Sequence, residues 1–122
     1  MRGSAMFDDN RRHLYIAGPY TRPDPVINTN AACRVGTIVF EETPWIPHVP
    51  HITLLWHAIT PRPIEFWYEL DMAHMSRCDA LVRLPGDSSG ADKEYMFALN
   101  LGLQIVEFGD LPKEAQKVWS SR

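Results

Sequence analysis

Three short apolar runs limit what this chain can fold into. They are "HLYIA" (13–17), "DALVRL" (79–84) and "LQIVEF" (103–108), each of five or six residues. Runs of that length suit buried strands and are too short for helices. Gly18 and Pro19 end the first, and stretches of helical length separate all three. From Val26, apolar residues recur at Ala31 or Ala32, Val35, Ile38 and Val39, which predicts a helix. "IEFWYELDMAHMSRC" (64–78) has neither glycine nor proline and predicts another, and a third runs over 90–101. Residues 45–49 are expected to form a short second strand and 52–59 a helical turn or two. The tail "LPKEAQKVWSSR" reads as a last amphipathic helix that docks through Val118 and Trp119.

Strands that alternate with helices imply crossover connections and a parallel sheet covered on both faces. The expected fold is a small α/β, flavodoxin-like three-layer sandwich with four or five strands. In such sheets ligands bind beyond the carboxyl ends of the strands, where the strand order reverses. Two unusual loops leave from that edge: "AGPYTRPDP" after the first strand and "LPGDSSGADKE" after the third.

At 122 residues the chain suits one domain, expected over 13–122 behind a flexible tail at 1–12. Its formal charge of −3 argues against a nucleic-acid polymer as partner, because phosphate-backbone binding needs a basic surface. Cys33 and Cys78 lie far apart in apolar surroundings and read as reduced thiols of a cytoplasmic protein. The amino-terminal segment has basic residues with no apolar run behind them, so neither a secretion signal nor a membrane span is expected.

Two carboxylates stand out. In the helix at 64–78, Ile64, Trp67, Asp71, Met75 and Cys78 form one stripe, which puts Asp71 on an otherwise apolar face. A carboxylate there is paired, capping a loop, or an acid of raised pKa facing a cleft. Glu94 lies one turn into the helix after the serine loop, with Gly90 four residues earlier and Ser88 six. Glycine permits close backbone approach, and a helix start with Ser88 and Ser89 suits an anion. The histidines His48, His51, His57 and His74 are read as pocket lining or core rather than as metal ligands, since Pro47 and Pro50 break any helix that would align the first pair.

"YIAGPY", "WYELDMAHMSRCDALVRLPG" and "SSGADKEYMFALNLGLQIV", taken in that order, resemble the nucleoside 2-deoxyribosyltransferase-like superfamily, which includes nucleoside 5′-monophosphate N-glycosidases. The resemblance spans 14–106. It implies that Glu94 is the nucleophile and that Asp71 contacts the nucleoside and aids proton transfer to the base. It also implies that Tyr20, or alternatively Tyr15, lies near the sugar and Glu94. Ser88 stands where the transferases tend to carry an acidic residue and the monophosphate hydrolases a serine, and a serine accepts phosphate where a carboxylate repels it. Gly18, Ser88, Ser89, Gly90 and His48 are the expected substrate contacts, with no cofactor and no metal. The expected activity is N-glycosidic bond cleavage in a nucleoside or its 5′-monophosphate, by hydrolysis or base transfer, in a homodimer or larger homo-oligomer. Four tryptophans in so short a chain point the same way.

The rival class is a non-catalytic nucleotide-binding or sensing module, in which the serine loop is an anion nest alone. Two carboxylates at one mouth favour the enzyme. A phosphatase-like or flavin-binding relative is disfavoured, because neither cysteine sits in a catalytic-thiol loop and no long Ser/Thr-rich loop follows the first strand.

Overall fold

The computed structural model describes residues 9–122. The expected tail falls mainly on residues 1–8, outside the described residues, and 9–12 carry no regular secondary structure. Four strands, β1 (His13–Ala17), β2 (Ile46–His48), β3 (Ala80–Arg83) and β4 (Gln104–Val106), form one sheet. Every pairing is parallel and the order is β2-β1-β3-β4. Five helices accompany them: α1 (Pro25–Glu42), α2 (Thr53–Ile59), α3 (Ile64–Met75), α4 (Ser89–Leu101) and α5 (Lys113–Ser120). The chain is therefore an α/β protein with a flavodoxin-like three-layer arrangement, with four strands.

The period-two rule sorts the strand residues between two cores. Leu14, Ile16, Ala80 and Val82 join Ala32, Val35 and Val39 of α1 and Trp119 of α5 on one face. Tyr15, Ala17 and Leu81 face the other way, against Met75 at the end of α3, Cys78 just beyond it and Ala98 of α4. Tyr15 is thus turned towards α4 by its position in the strand.

Local signals explain the helix ends. Asp24 caps α1, its carboxylate accepting from the amides of Val26 and Ile27, and Pro25 occupies the first turn. Val26 is exposed, so the buried stripe of α1 begins at Asn28 rather than at Val26. Ser88 caps α4 by accepting from the Ala91 amide at 3.1 Å, and Gly102, at a φ of 77°, closes it in the left-handed region. Helix α3 stops at Met75, three residues before the expected end, and a turn carries Cys78 into the core.

Helix α5 docks as expected, with Trp119 buried and Val118 packed against the same cluster. The Trp119 indole N–H donates to the Pro85 carbonyl at 2.8 Å, and the Arg122 guanidinium lies 3.9 Å from the centroid of the Trp119 ring. Beside it, Gly86 has a φ of 132° and passes so close to Pro19 that a Cβ would lie 2.8 Å from the proline Cγ. Only glycine fits there.

Candidate active site

The strand order reverses between β1 and β3, and the loops from their carboxyl ends border a cleft of about 630 Å³. Residues 18–22 form one wall, and residues 87–91 with Glu94 form a second. Helix α3 supplies Ile64, Trp67, Tyr68 and Asp71, and Pro50, His51, Thr53, His57 and Arg62 complete the lining. The cleft is therefore built largely from rings and carboxylates, which suits a flat aromatic ligand.

Glu94 sits at its floor. It was expected near the exposed start of α4, but it is only 6% exposed, because Ala91, Glu94 and Ala98 share the stripe that faces the sheet. The Tyr15 hydroxyl donates to Glu94 Oε2 at 2.6 Å. Burial raises the Glu94 carboxyl to about 7, against the opposing pull of the Tyr15 hydrogen bond and of Arg83. Burial first, then the Glu94 and Asp71 charges, hold Tyr15 well above the ordinary phenol value, so it remains a donor.

Asp71 lines the same cleft and is also raised to about 7, by burial and then by Glu94. Its Oδ1 is buried with no hydrogen-bond partner among the described residues. The two carboxyls thus compete for ionisation. Burial is the largest influence on both; Tyr15 and Arg83 favour charge on Glu94, whereas Glu94 opposes it on Asp71, and the two carboxyls titrate as a pair near 7.

The Ser88 loop is organised by Arg83. Its guanidinium bonds Asp92 Oδ1 at 2.8 Å and donates to the Leu84 and Ser88 carbonyls. That contact turns Asp92 towards Arg83, while Asp87 remains on the cleft wall. Gly90 packs under Tyr68, whose hydroxyl would lie 3.0 Å from an added Cβ. Opposite them, Arg22 and Arg62 line the cleft with no ion pair to another described residue.

Of the sequence-selected residues, the structure gathers Gly18, Tyr20, Asp71, Ser88, Ser89, Gly90 and Glu94 around the cleft. Two placements need correction. The aromatic residue that holds Glu94 is Tyr15, and Tyr20 stands on the wall at the loop after β1. His48 is not among the lining residues: its ring lies between Tyr15 at 6.1 Å and His74 at 4.9 Å. His51 takes the expected place, 3% exposed and with Nε2 3.0 Å from the Pro19 carbonyl. A carbonyl can only accept, so Nε2 carries a proton. Burial lowers the pKa of His51, which favours the neutral ring.

No family model matches this chain, and no curated protein matches it either. The functional reading therefore rests on the cleft and on the motifs quoted above.

Sequence reasoning named His57 as pocket lining or core, and missed Arg62 and Tyr68. The run of apolar and aromatic residues in α3 was visible, but the contact between α2 and α3 that brings His57 to Trp67 is tertiary. One buried asparagine also went unnoticed: Asn28 Nδ2 donates to the Tyr20 carbonyl at 2.9 Å and to the Arg22 carbonyl at 2.7 Å, pinning the loop that carries both residues.

Proposed function

We propose that this protein cleaves the N-glycosidic bond of a nucleoside or nucleoside 5′-monophosphate, with Glu94 as nucleophile and Asp71 as acid. The observation that carries this reading is the pairing of a buried Glu94, held by Tyr15 at 2.6 Å, with a raised Asp71 on the same cleft. The motif resemblance supports the same roles.

In the first step the C1′–N bond breaks and its electron pair leaves with the base, which takes the Asp71 proton. A Glu94 oxygen bonds to C1′, whose developing positive charge the carboxylate also stabilises. Ionised Asp71 then accepts a proton from water as the water oxygen attacks C1′ and releases Glu94. A second base in place of water gives transfer. Two displacements at one carbon retain its configuration. Tyr15 orients the Glu94 oxygen throughout, and Tyr20 borders the sugar.

Ser88, Ser89 and Gly90 face the 5′ end of the sugar in this reading. The Ser88 hydroxyl already accepts from Ala91 and so offers its proton to a ligand oxygen. Asp87 on the same wall favours a hydroxyl there, and Arg22 and Arg62, neither ion-paired to another described residue, favour a phosphate.

Self-association belongs to the same proposal. Leu55, Ile59 and Ile64 are 68%, 70% and 58% exposed, and Trp56 and Phe66 are also exposed beside the cleft mouth. An apolar surface of that kind supports a homo-oligomer. No helix among the described residues is long and apolar enough to cross a membrane, and both cysteines are free, as a cytoplasmic setting requires.

The deciding experiment is incubation with a panel of nucleosides and their 5′-monophosphates, with and without an acceptor base. Free base is expected from the wild type and not from Glu94→Gln. Binding with no release would make the protein a nucleotide sensor instead.

A further inference from the structure

The following rests on the N-glycosidase reading and concerns which bases the cleft accepts. His57 on α2 lines the cleft, and the protein already occupies its Nδ1. The Trp67 indole N–H donates to that nitrogen at 2.8 Å and the Arg62 backbone N–H at 3.3 Å. Neither group has a lone pair to give, so Nδ1 must be the acceptor and the ring proton sits on Nε2. The imidazole therefore has one thing left to offer a ligand, an N–H.

That donor is held in place. Trp67 meets the His57 ring edge-on, at 5.4 Å and 79°, and is itself braced by Trp56 at 5.4 Å and Phe66 at 4.8 Å. The Arg62 side chain, which starts from the same corner and lines the cleft, adds further donors and no acceptor. The side chains of His57 and Arg62 thus offer a ligand only donors, and the Thr53 hydroxyl one turn earlier on α2, which already donates to the Pro50 carbonyl at 3.0 Å, is the nearest acceptor on that helix.

Its position relative to the chemistry follows from helix geometry. Trp67 and Asp71 are four residues apart on α3, so they lie on one face roughly 6 Å from each other. A base that takes its proton from Asp71 extends along that face to Trp67 and His57, while the sugar turns to Glu94 and the start of α4. We infer that His57 is a specificity-determining residue that donates from Nε2 to a carbonyl oxygen on the base, so that the cleft prefers oxo-substituted bases to their amino counterparts. An amino group at that edge would set one N–H against another and leave both unpaired, which selective sites exploit to reject analogues.

The test uses Glu94→Gln protein, which holds ligands without turning them over, and calorimetric titration with inosine against adenosine and uridine against cytidine, each also as the 5′-monophosphate. The oxo member of each pair is expected to bind about tenfold more tightly, the yield of one well-made hydrogen bond. Adding His57→Phe, which keeps a ring and removes the donor, should bring the ratio below about twofold, and His57→Gln, which restores an N–H, should recover part of it. Equal binding of the two members, or a preference that survives His57→Phe, overturns the inference and leaves the function standing. A His57→Phe loss confined to the monophosphates overturns it too, because the corner would then hold phosphate. Failure of every nucleoside and nucleotide to bind would sink the glycosidase reading itself.

Discussion

Replacing Glu94 by Gln should stabilise this protein at alkaline pH and change it much less near pH 5. Glu94 is ordinarily half-ionised at 4.5 and in the fold only at about 7. A raised folded-state pKa means that the native protein binds the proton more tightly than the unfolded chain. Its contribution is fully present below pH 4.5 and is lost as pH rises through 7, at a total cost of about 3 kcal/mol. Glutamine has the same shape, can accept from Tyr15, and never ionises. Asp71, raised by Glu94, also becomes easier to ionise in the variant, which adds to the effect with the same sign. His48 and His51 are lowered by burial and gain the native state stability as pH rises, but they do so in both proteins and drop out of the difference. Proton sharing with Asp71 spares part of the penalty near neutrality, so the expected advantage of Glu94→Gln is about 1–3 kcal/mol at pH 8 and under about 1 kcal/mol at pH 5. Urea unfolding followed by tryptophan fluorescence at pH 5, 6, 7 and 8 measures it. A difference that stays constant over that range, or one that grows in favour of the wild type, would refute the assignment of a buried, strained carboxylate.

Three further outcomes are expected. Tyr15→Phe removes the 2.6 Å hydrogen bond to Glu94, so the acidic limb of the kcat/KM profile for base release should move up by roughly one pH unit or more, as loss of about 1.5–3 kcal/mol of charge-assisted bonding requires; an unmoved limb would clear Tyr15 of the role. Ser88→Asp keeps a side chain that caps α4 but adds a charge to the cleft wall, and should weaken monophosphate binding by about 1–3 kcal/mol more than nucleoside binding in calorimetry; equal losses would mark a 5′-hydroxyl site. Trp119→Leu breaks the bond to the Pro85 carbonyl and empties part of the core, and should lower stability by about 2–4 kcal/mol in urea; a loss under 1 kcal/mol would show that α5 is a loose appendage.

The layered fold was legible because its signals are local. Short apolar runs closed by Gly18–Pro19 and by the serine loop gave three of the four strands, and the loops between strands and helices fell at the carboxyl edge. Asp71 could be picked out because it interrupts an apolar stripe, and Glu94 because it lies one helical turn beyond the serine-glycine loop. The burial of Glu94 could not, since it depends on how α4 is rotated against the sheet. Tyr15 was within reach: in "HLYIA" its neighbours Leu14 and Ile16 alternate with it, and only the choice of face was needed to send it to α4. Around His48 and His51 the short strand expected at 45–49 and the helical turns expected at 52–59 are found as β2 and α2, but prolines suspend both periods there, so the 3-10 turn at Pro50–Ile52 and the direction each histidine faces were not legible. That His57 accepts from Trp67 depends on the segment 60–63 bringing α2 onto α3, a tertiary contact that no local pattern shows.

The tie between Trp119 and Pro85 has a consequence for the order in which the protein is made. Pro85 stands at the root of the loop that carries Ser88 to Ala91, and its carbonyl is held by a helix 34 residues further along the chain. Every wall of the cleft is translated before α5 leaves the ribosome. Until it does, the loop lacks its anchor and the face of α1 that receives Trp119 stays uncovered. Nascent chains halted before residue 119 should therefore carry both carboxylates and the serine loop, yet hold them in a cleft whose loop root at Pro85 is not yet tied to α5.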